Sequence, residues 1–159
     1  MVLKTKGYFG IALFLLLVLI DRITKISVSL GNLKDYGWVA IHYATNTGAG
    51  FSLFQNYNTF LIIAAFLALG LLWYYKKIFL GLPFILLAAG IVGNLIDRVF
   101  LGFVIDFIDF KFWPIFNLAD VYISLGVIIT MIAILRRDIM EKKSPKKSRK
   151  KQRKSRTKK

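Results

Sequence analysis

The chain has 159 residues, 57% of them hydrophobic, with a mean hydropathy of +0.60 and a formal net charge of +15. That hydropathy excludes an ordinary soluble domain. The absence of cysteine excludes disulfide frameworks, thiol nucleophiles and cysteine-ligated metals, and the single histidine, His42, is too little for a His-rich metal site or a serine-protease triad. The charge is unevenly placed: residues 136–159 carry 14 Lys/Arg against Asp138 and Glu141, a net of +12. Residues 1–135 hold 9 basic groups and 6 acidic ones, all of them Asp: Asp21, Asp35, Asp97, Asp106, Asp109 and Asp120.

Four apolar stretches are long enough to cross a bilayer, which takes about 20 helical residues. The first covers about 9–28 and is interrupted by Asp21, Arg22 and Lys25. No small-x-small cleavage site follows it, so it is read as a span and not as a signal peptide. Between it and the second stretch, Trp38-Val-Ala-Ile-His-Tyr43 mixes β-branched and aromatic residues and predicts a short strand, part of a small sheet at the membrane surface. The second span covers 59–75 and the third about 79–96, with Asn94 near its end. The fourth covers 121–135 and starts just after Asp120.

Lys4, Lys6, Lys76, Lys77, Arg136 and Arg137 fall on one side of a four-span chain, which makes that side, and both termini, cytoplasmic. The opposite side receives residues 29–58 and about 97–120. Trp73, Tyr74, Tyr75 and Trp113 fit interfacial belts. The expected organisation is therefore a four-span membrane domain over 1–137 and a basic, disordered cytoplasmic tail over 138–159. The tail is expected along the anionic inner membrane surface, where each basic residue contributes roughly 1 kcal/mol, and not on nucleic acid.

Charge at mid-membrane costs at least about 2.5 kcal/mol per group, so polar residues in spans face a protein interior and usually act there. Four clusters need a reason: Asp21-Arg-Ile-Thr-Lys25; Asn46-Thr-Gly-Ala-Gly-Phe51; Gly93-Asn-Leu-Ile-Asp-Arg98 with Val104-Ile-Asp106; and Phe116-Asn-Leu-Ala-Asp120. Each sits near the outer end of a span, so all four can converge at one depth. Asp21 and Lys25 share a helix face, as do Asn94, Asp97 and Arg98, and Asn117 meets Asp120 as the fourth span begins. Asp97, beside Arg98, is assigned to structure, and Asp109, two residues before Lys111, to an exposed loop.

Asp106 and Asp120 have no Lys or Arg within four residues. Two carboxylates close together in a low dielectric cannot both ionise, and they share one proton. That is the condition for aspartyl protease chemistry, in which one member takes a proton from water and the other polarises the scissile carbonyl. A proton or ion path is the competing use of such groups, and a lipid-binding scaffold a third. Transporters more often gather their polar groups near the midplane, on broken helices or in repeated halves. Here they gather at one side.

In this order on a four-span chain, the four motifs resemble those of the lipoprotein signal peptidase (signal peptidase II) family over about residues 8–135. Gly50 replaces the commoner Ala, Val121 stands where Ser is common, and the interval Phe107 to Ala119 is short for the family. The resemblance implies an all-α membrane protein, with four transmembrane helices and a small β-containing extracytoplasmic loop domain, in the bacterial cytoplasmic membrane. Its active site would face the extracytoplasmic side. It implies a catalytic dyad of Asp106 and Asp120, supported by Asp21, Lys25, Asn46, Asn94, Arg98 and Asn117, with no metal and no cofactor. The implied substrate is a prolipoprotein carrying a diacylglyceryl cysteine, cleaved immediately before that cysteine.

Overall fold

The structure is a computed structural model and describes residues 7–48, 57–79 and 81–156. In chain order the elements are α1 (Gly7–Ser29), β1 (Lys34–Asp35), β2 (Ala40–Asn46), α2 (Asn58–Tyr74), α3 (Leu82–Phe100), β3 (Val104–Asp109) and α4 (Leu118–Arg156). Two compact units divide the chain, Met1–Val127 and Ile128–Lys159. The second consists of the later part of α4.

By length and composition, α3 and the Leu118–Met140 portion of α4 are long and apolar enough to cross a membrane, and α2 is a shorter apolar helix of 17 residues. Large apolar side chains cover the outside, among them Leu15, Leu19, Phe66, Leu67, Leu71 and Leu125, all exposed. The interior is packed with apolar side chains such as Leu86, Ala89 and Val104, and among them lies a polar cluster: Asp21, Lys25, Asp97 and Asn117 are each 0% exposed. An exterior of hydrocarbon with the charged groups kept inside is what lipid, rather than water, selects.

Small residues let the helices of the first unit approach closely. A Cβ added to Gly90 of α3 would collide with the Ala119 carbonyl oxygen, and one added to Gly93 would lie 2.8 Å from Asp21 Oδ2. Ala119 itself is fully buried.

The third and fourth spans differ at their ends from the expected 79–96 and 121–135. α3 starts at Leu82, after Gly81 at φ 80° and with Pro83 in its first turn, where a proline's missing N–H costs nothing. It continues to Phe100, so Asp97 and Arg98 are helical, and Gly102 at φ 84° then turns the chain into β3. α4 starts at Leu118 because Asn117 caps it. The Asn117 side chain accepts the Asp120 N–H at 3.0 Å, and the Asp120 carboxylate accepts the Asn117 N–H at 3.2 Å, a reciprocal capping box with Asp at the third position.

Beyond Arg137 the backbone remains helical to Arg156, whereas composition led us to expect disorder from 138 onward. Composition judges whether a segment can bury a core; locally, Lys, Arg and Gln favour helix and Pro145 within the segment opposes it.

The three strands form one antiparallel sheet in the order β1-β2-β3. The strand expected at Trp38 to Tyr43 is β2, shifted to Ala40–Asn46 and so ending on the first residue of the second motif. Asp109 closes β3 opposite Ala40 instead of lying in an exposed loop. Its carboxylate faces Lys111 Nζ at 3.6 Å and His42 Nδ1 at 3.8 Å, and its side chain is 15% exposed.

A register shift between Ile41 and Ala44 decides which way the end of β2 faces. Ile41 pairs with Ile108, but Ala44 pairs with Asp106, so His42 and Tyr43 together oppose Phe107. Side chains alternate faces along a strand, and one extra residue exchanges the faces beyond it. The bulge therefore puts Asn46 on the same face as Asp106.

Candidate active site

Five elements or their ends bring the polar residues together. Asp21 and Lys25 come from α1, Asn46 from the end of β2, Asn94 and Arg98 from α3, Asp106 from β3, and Asn117 and Asp120 from the start of α4. Asn117 and Phe116 reach β3 because Phe116 pairs with it. The Phe116 N–H donates to the Ile108 carbonyl at 3.1 Å, and the Phe116 carbonyl accepts the N–H groups of Ile108 and Phe107 at 2.8 and 3.0 Å.

Behind the site lies a charge cluster. Lys25 Nζ sits 3.0 Å from Asp21 Oδ2 and 2.8 Å from Asp97 Oδ2, and Arg22 Nη2 sits 2.6 Å from Asp97 Oδ1. Two carboxylates and two cations balance formally, which is the condition for keeping charge out of water. Asp21 Oδ1 also accepts the Ala119 N–H at 3.1 Å, and Asp97 Oδ2 accepts the Ile105 N–H at 3.2 Å. Asp97 thus holds α1, α3 and β3 together, in keeping with a structural role. Arg22 was absent from the residues singled out as supporting the site. Its charge is plain in the sequence, but its shorter ion pair, to Asp97, spans 75 residues, while the adjacent Asp21 lies 3.6 Å away.

A second layer consists of three asparagines. Asn94 Oδ1 accepts Lys25 Nζ at 3.1 Å and Asn117 Nδ2 at 3.1 Å, while Asn94 Nδ2 donates to Asp120 Oδ1 at 2.8 Å. Asn117 Nδ2 donates to Asp106 Oδ1 at 2.6 Å and to the Ile105 carbonyl at 3.3 Å. Asn46 Nδ2 donates to Asp106 Oδ2 at 2.9 Å, and its Oδ1 accepts the Gly48 N–H at 2.9 Å. Each oxygen of Asp106 and of Asp120 therefore accepts one N–H. An amide supplies such donors without adding charge.

Arg98 does not touch either carboxylate. Its Nη2 donates to the Gly48 carbonyl at 2.9 Å and so braces the segment that carries Asn46, while Asn58 Nδ2 donates to the Arg98 carbonyl at 3.0 Å. Ala49, Gly50, Phe51 and Ser52 of the second motif lie outside the described residues.

Asp106 and Asp120 both border one open cavity of about 860 Å³. Asn46, Asn94 and Arg98 line it as well, with Trp113 and Phe116 on one wall and Val121, Ile123, Ser124 and Leu125 of α4 on another. Burial pushes the Asp106 carboxyl up to about 6; the Asp120 charge adds to the rise, and the bonds from Asn46 and Asn117 oppose it. Among the described residues no group of three or more His, Cys, Asp or Glu is placed to hold a metal ion. Two carboxylates on an open cavity, held by neutral donors, are equipped to deliver and accept protons at one point.

Comparison with known proteins bears on what that point is for. The family model described as "Signal peptidase (SPase) II" matches residues 13–136. "Lipoprotein signal peptidase" of Clostridioides difficile (strain 630) is 40% identical over 139 residues, covering 79% of this chain and 93% of that protein. The protein of the same name from Streptococcus pneumoniae (strain ATCC BAA-255 / R6) is 37% identical over 139 residues, covering 79% and 91%. Two solved structures share the fold. One is described as "Bacterial membrane enzyme structure by the in meso method at 2.3 A resolution"; it has a TM-score of 0.76 and 31% identity, covering 86% of this chain and 93% of that one. The other, similarly described at 1.9 Å resolution, has a TM-score of 0.72 and 32% identity, covering 85% and 97%. Residues 13–136 take in most of α1, all of α2 and α3, the sheet and the first part of α4, and on that footing the chain belongs to the signal peptidase II family.

Proposed function

We propose that Asp106 and Asp120 are the catalytic dyad with which this multi-pass bacterial inner-membrane protein acts as an aspartic endopeptidase. Its activity is the removal of signal peptides from prolipoproteins. One observation carries the dyad assignment: Asn117 grips both carboxylates, Asp106 through its side-chain Nδ2 and Asp120 through its backbone N–H, on the wall of the same cavity.

Two largely buried carboxylates held by the same asparagine on one cavity share one proton between them. The ionised member takes a proton from a water molecule as the water oxygen attacks the carbonyl carbon of the scissile peptide bond. The protonated member hydrogen-bonds the carbonyl oxygen and stabilises the charge that develops there. When the tetrahedral intermediate collapses, the C–N bond breaks and the leaving nitrogen receives a proton. A carboxylic acid is left on the signal peptide and an amine on the lipoprotein. Asn46, Asn94 and Asn117 keep the two carboxyls facing the cavity, Arg98 secures the Asn46 segment, and Asp21 and Lys25 anchor the cluster from behind.

The substrate's bond lies before a cysteine carrying diacylglycerol. Such a group stays in the bilayer and holds the cleavage point beside an outer-surface site, while the signal-peptide helix enters laterally. The catalytic unit covers residues 1–137, and the basic segment 138–159 lies across the membrane from the dyad, against anionic headgroups and not on nucleic acid. The test is cleavage of a synthetic diacylglyceryl lipopeptide by purified Asp106→Asn and Asp120→Asn proteins. Both are expected to be folded and inactive, and full turnover by either one would end the dyad assignment.

A further inference from the structure

We propose that Ser124 is a substrate-positioning residue, hydrogen-bonding the backbone of the signal peptide about two residues before the scissile bond. This rests on the peptidase reading of the dyad. Of the four α4 residues that line the cavity beyond Asp120, Ser124 is the polar one, set among Val121, Ile123 and Leu125. It lies four residues after Asp120, on the same face of the helix and one turn deeper. Its side chain is exposed, and among the described residues its hydroxyl makes no hydrogen bond, not even to the carbonyl one turn back in its own helix. Thr24 and Ser29 on α1 do make such bonds.

An unpaired hydroxyl on an apolar wall has a partner to find, and the reaction supplies one. A signal peptide crosses the bilayer as a helix, but a protease must receive its scissile bond in extended chain. Unwinding the last turn frees N–H and C=O groups in a region where each unsatisfied group costs several kcal/mol. The cavity must replace those bonds. Near the dyad the asparagines and Thr45 and Thr47 of the rim are available; one turn deeper, Ser124 stands alone among apolar neighbours. The four helical residues from Asp120 to Ser124 rise about 6 Å, and extended chain advances about 3.3 Å per residue, so Ser124 is level with the peptide group about two residues upstream of the cut. The signal peptide runs in that direction because its body lies in the membrane. A hydroxyl is both donor and acceptor, so it serves either group of that peptide unit.

The test compares wild type, Ser124→Ala and Ser124→Thr on a synthetic diacylglyceryl lipopeptide and on the same lipopeptide with that one upstream amide replaced by an ester. Ester replacement removes the N–H and weakens the carbonyl as an acceptor. Ser124→Ala is expected to lower kcat/KM about tenfold on the all-amide substrate, the size of one lost hydrogen bond in an apolar site. Ser124→Thr restores it, and the melting temperature is unchanged because the side chain is exposed. On the ester substrate wild type and Ser124→Ala should differ by less than twofold. Equal activity of Ser124→Ala and wild type on the all-amide substrate overturns the proposal, as does an undiminished Ser124→Ala effect on the ester. Turnover by Asp106→Asn in the same assay would instead overturn the dyad reading, and with it the level along the signal peptide assigned to Ser124.

Discussion

Lys25 and Asn94, 69 residues apart in sequence, are joined at 3.1 Å, with the lysine donating to the amide oxygen. Asn117 occupies the same oxygen, so the amide of Asn94 has one possible orientation, with its nitrogen toward Asp120. Through a single neutral side chain, the charge cluster between α1 and α3 settles how the Asp120 carboxylate on α4 is held.

Removing the two ends of this link should have different consequences. Asn94→Leu deletes the bond to Asp120 and leaves Lys25 on its two carboxylates; turnover is expected to fall roughly ten- to a hundredfold, the worth of a hydrogen bond to a charged group, in a protein that still folds. Lys25→Met leaves Asp21 and Asp97 sharing Arg22, and a broken buried pair costs about 3–5 kcal/mol. A large drop in melting temperature is expected for Lys25→Met and a small one for Asn94→Leu. Equal melting of Lys25→Met and wild type would contradict the pairing.

Stability should depend on pH through Asp106. Its carboxyl titrates at about 6 in the folded chain against a reference value of 3.8. Folding therefore favours the protonated form; this contribution is full below pH 3.8 and is lost as pH rises through 6. From this group the wild type gains a higher melting temperature at pH 5 than at pH 8, and Asp106→Asn is expected to narrow that gap. An identical gap in the two proteins would show that ionising Asp106 carries no penalty.

Glycine substitutions separate tight helix contacts from open ones. Gly90→Ala presses a methyl group against the Ala119 carbonyl oxygen, a backbone atom that cannot swing away, and overpacking of this kind costs about 1–3 kcal/mol. Gly70→Ala on α2 meets nothing within 4 Å and should be neutral or stabilising by up to about 1 kcal/mol, through helix propensity alone. Thermal melts of the purified proteins decide the order, and a Gly90→Ala protein as stable as wild type would refute the close approach of α3 and α4.

A chain ending after Arg137 should cleave the lipopeptide in detergent with unchanged kcat/KM, because the dyad's partners all precede that point. In flotation with vesicles containing anionic lipid, a peptide of residues 138–159 should bind at low salt and be released as salt screens its charge. Lost turnover in a stable truncated protein would contradict the division of the chain.

The sequence made the parts of the site legible but not its wiring. Asp21 with Lys25, Asn94 with Arg98, and Asn117 with Asp120 could be grouped because helical offsets of three and four are local geometry. Asp106 stood out because no cation lies near it in sequence. What could not be read was long-range. The strand character of Val104–Asp109 was hidden behind its two carboxylates, and the bulge that turns Asn46 toward Asp106 depends on how two strands 60 residues apart come into register. The Arg22 to Asp97 ion pair and the double use of the Asn94 oxygen are likewise products of packing.

The capping box at the head of α4 has a consequence for when this protease comes alive. Asn117 caps α4 and, with the same side chain, grips Asp106 on β3. With Asp106 and Asp120 as the proposed dyad, a chain in which α4 has not yet docked holds Asp106 without either Asp120 or the Asn117 that fixes both carboxylates, and is expected to cleave nothing.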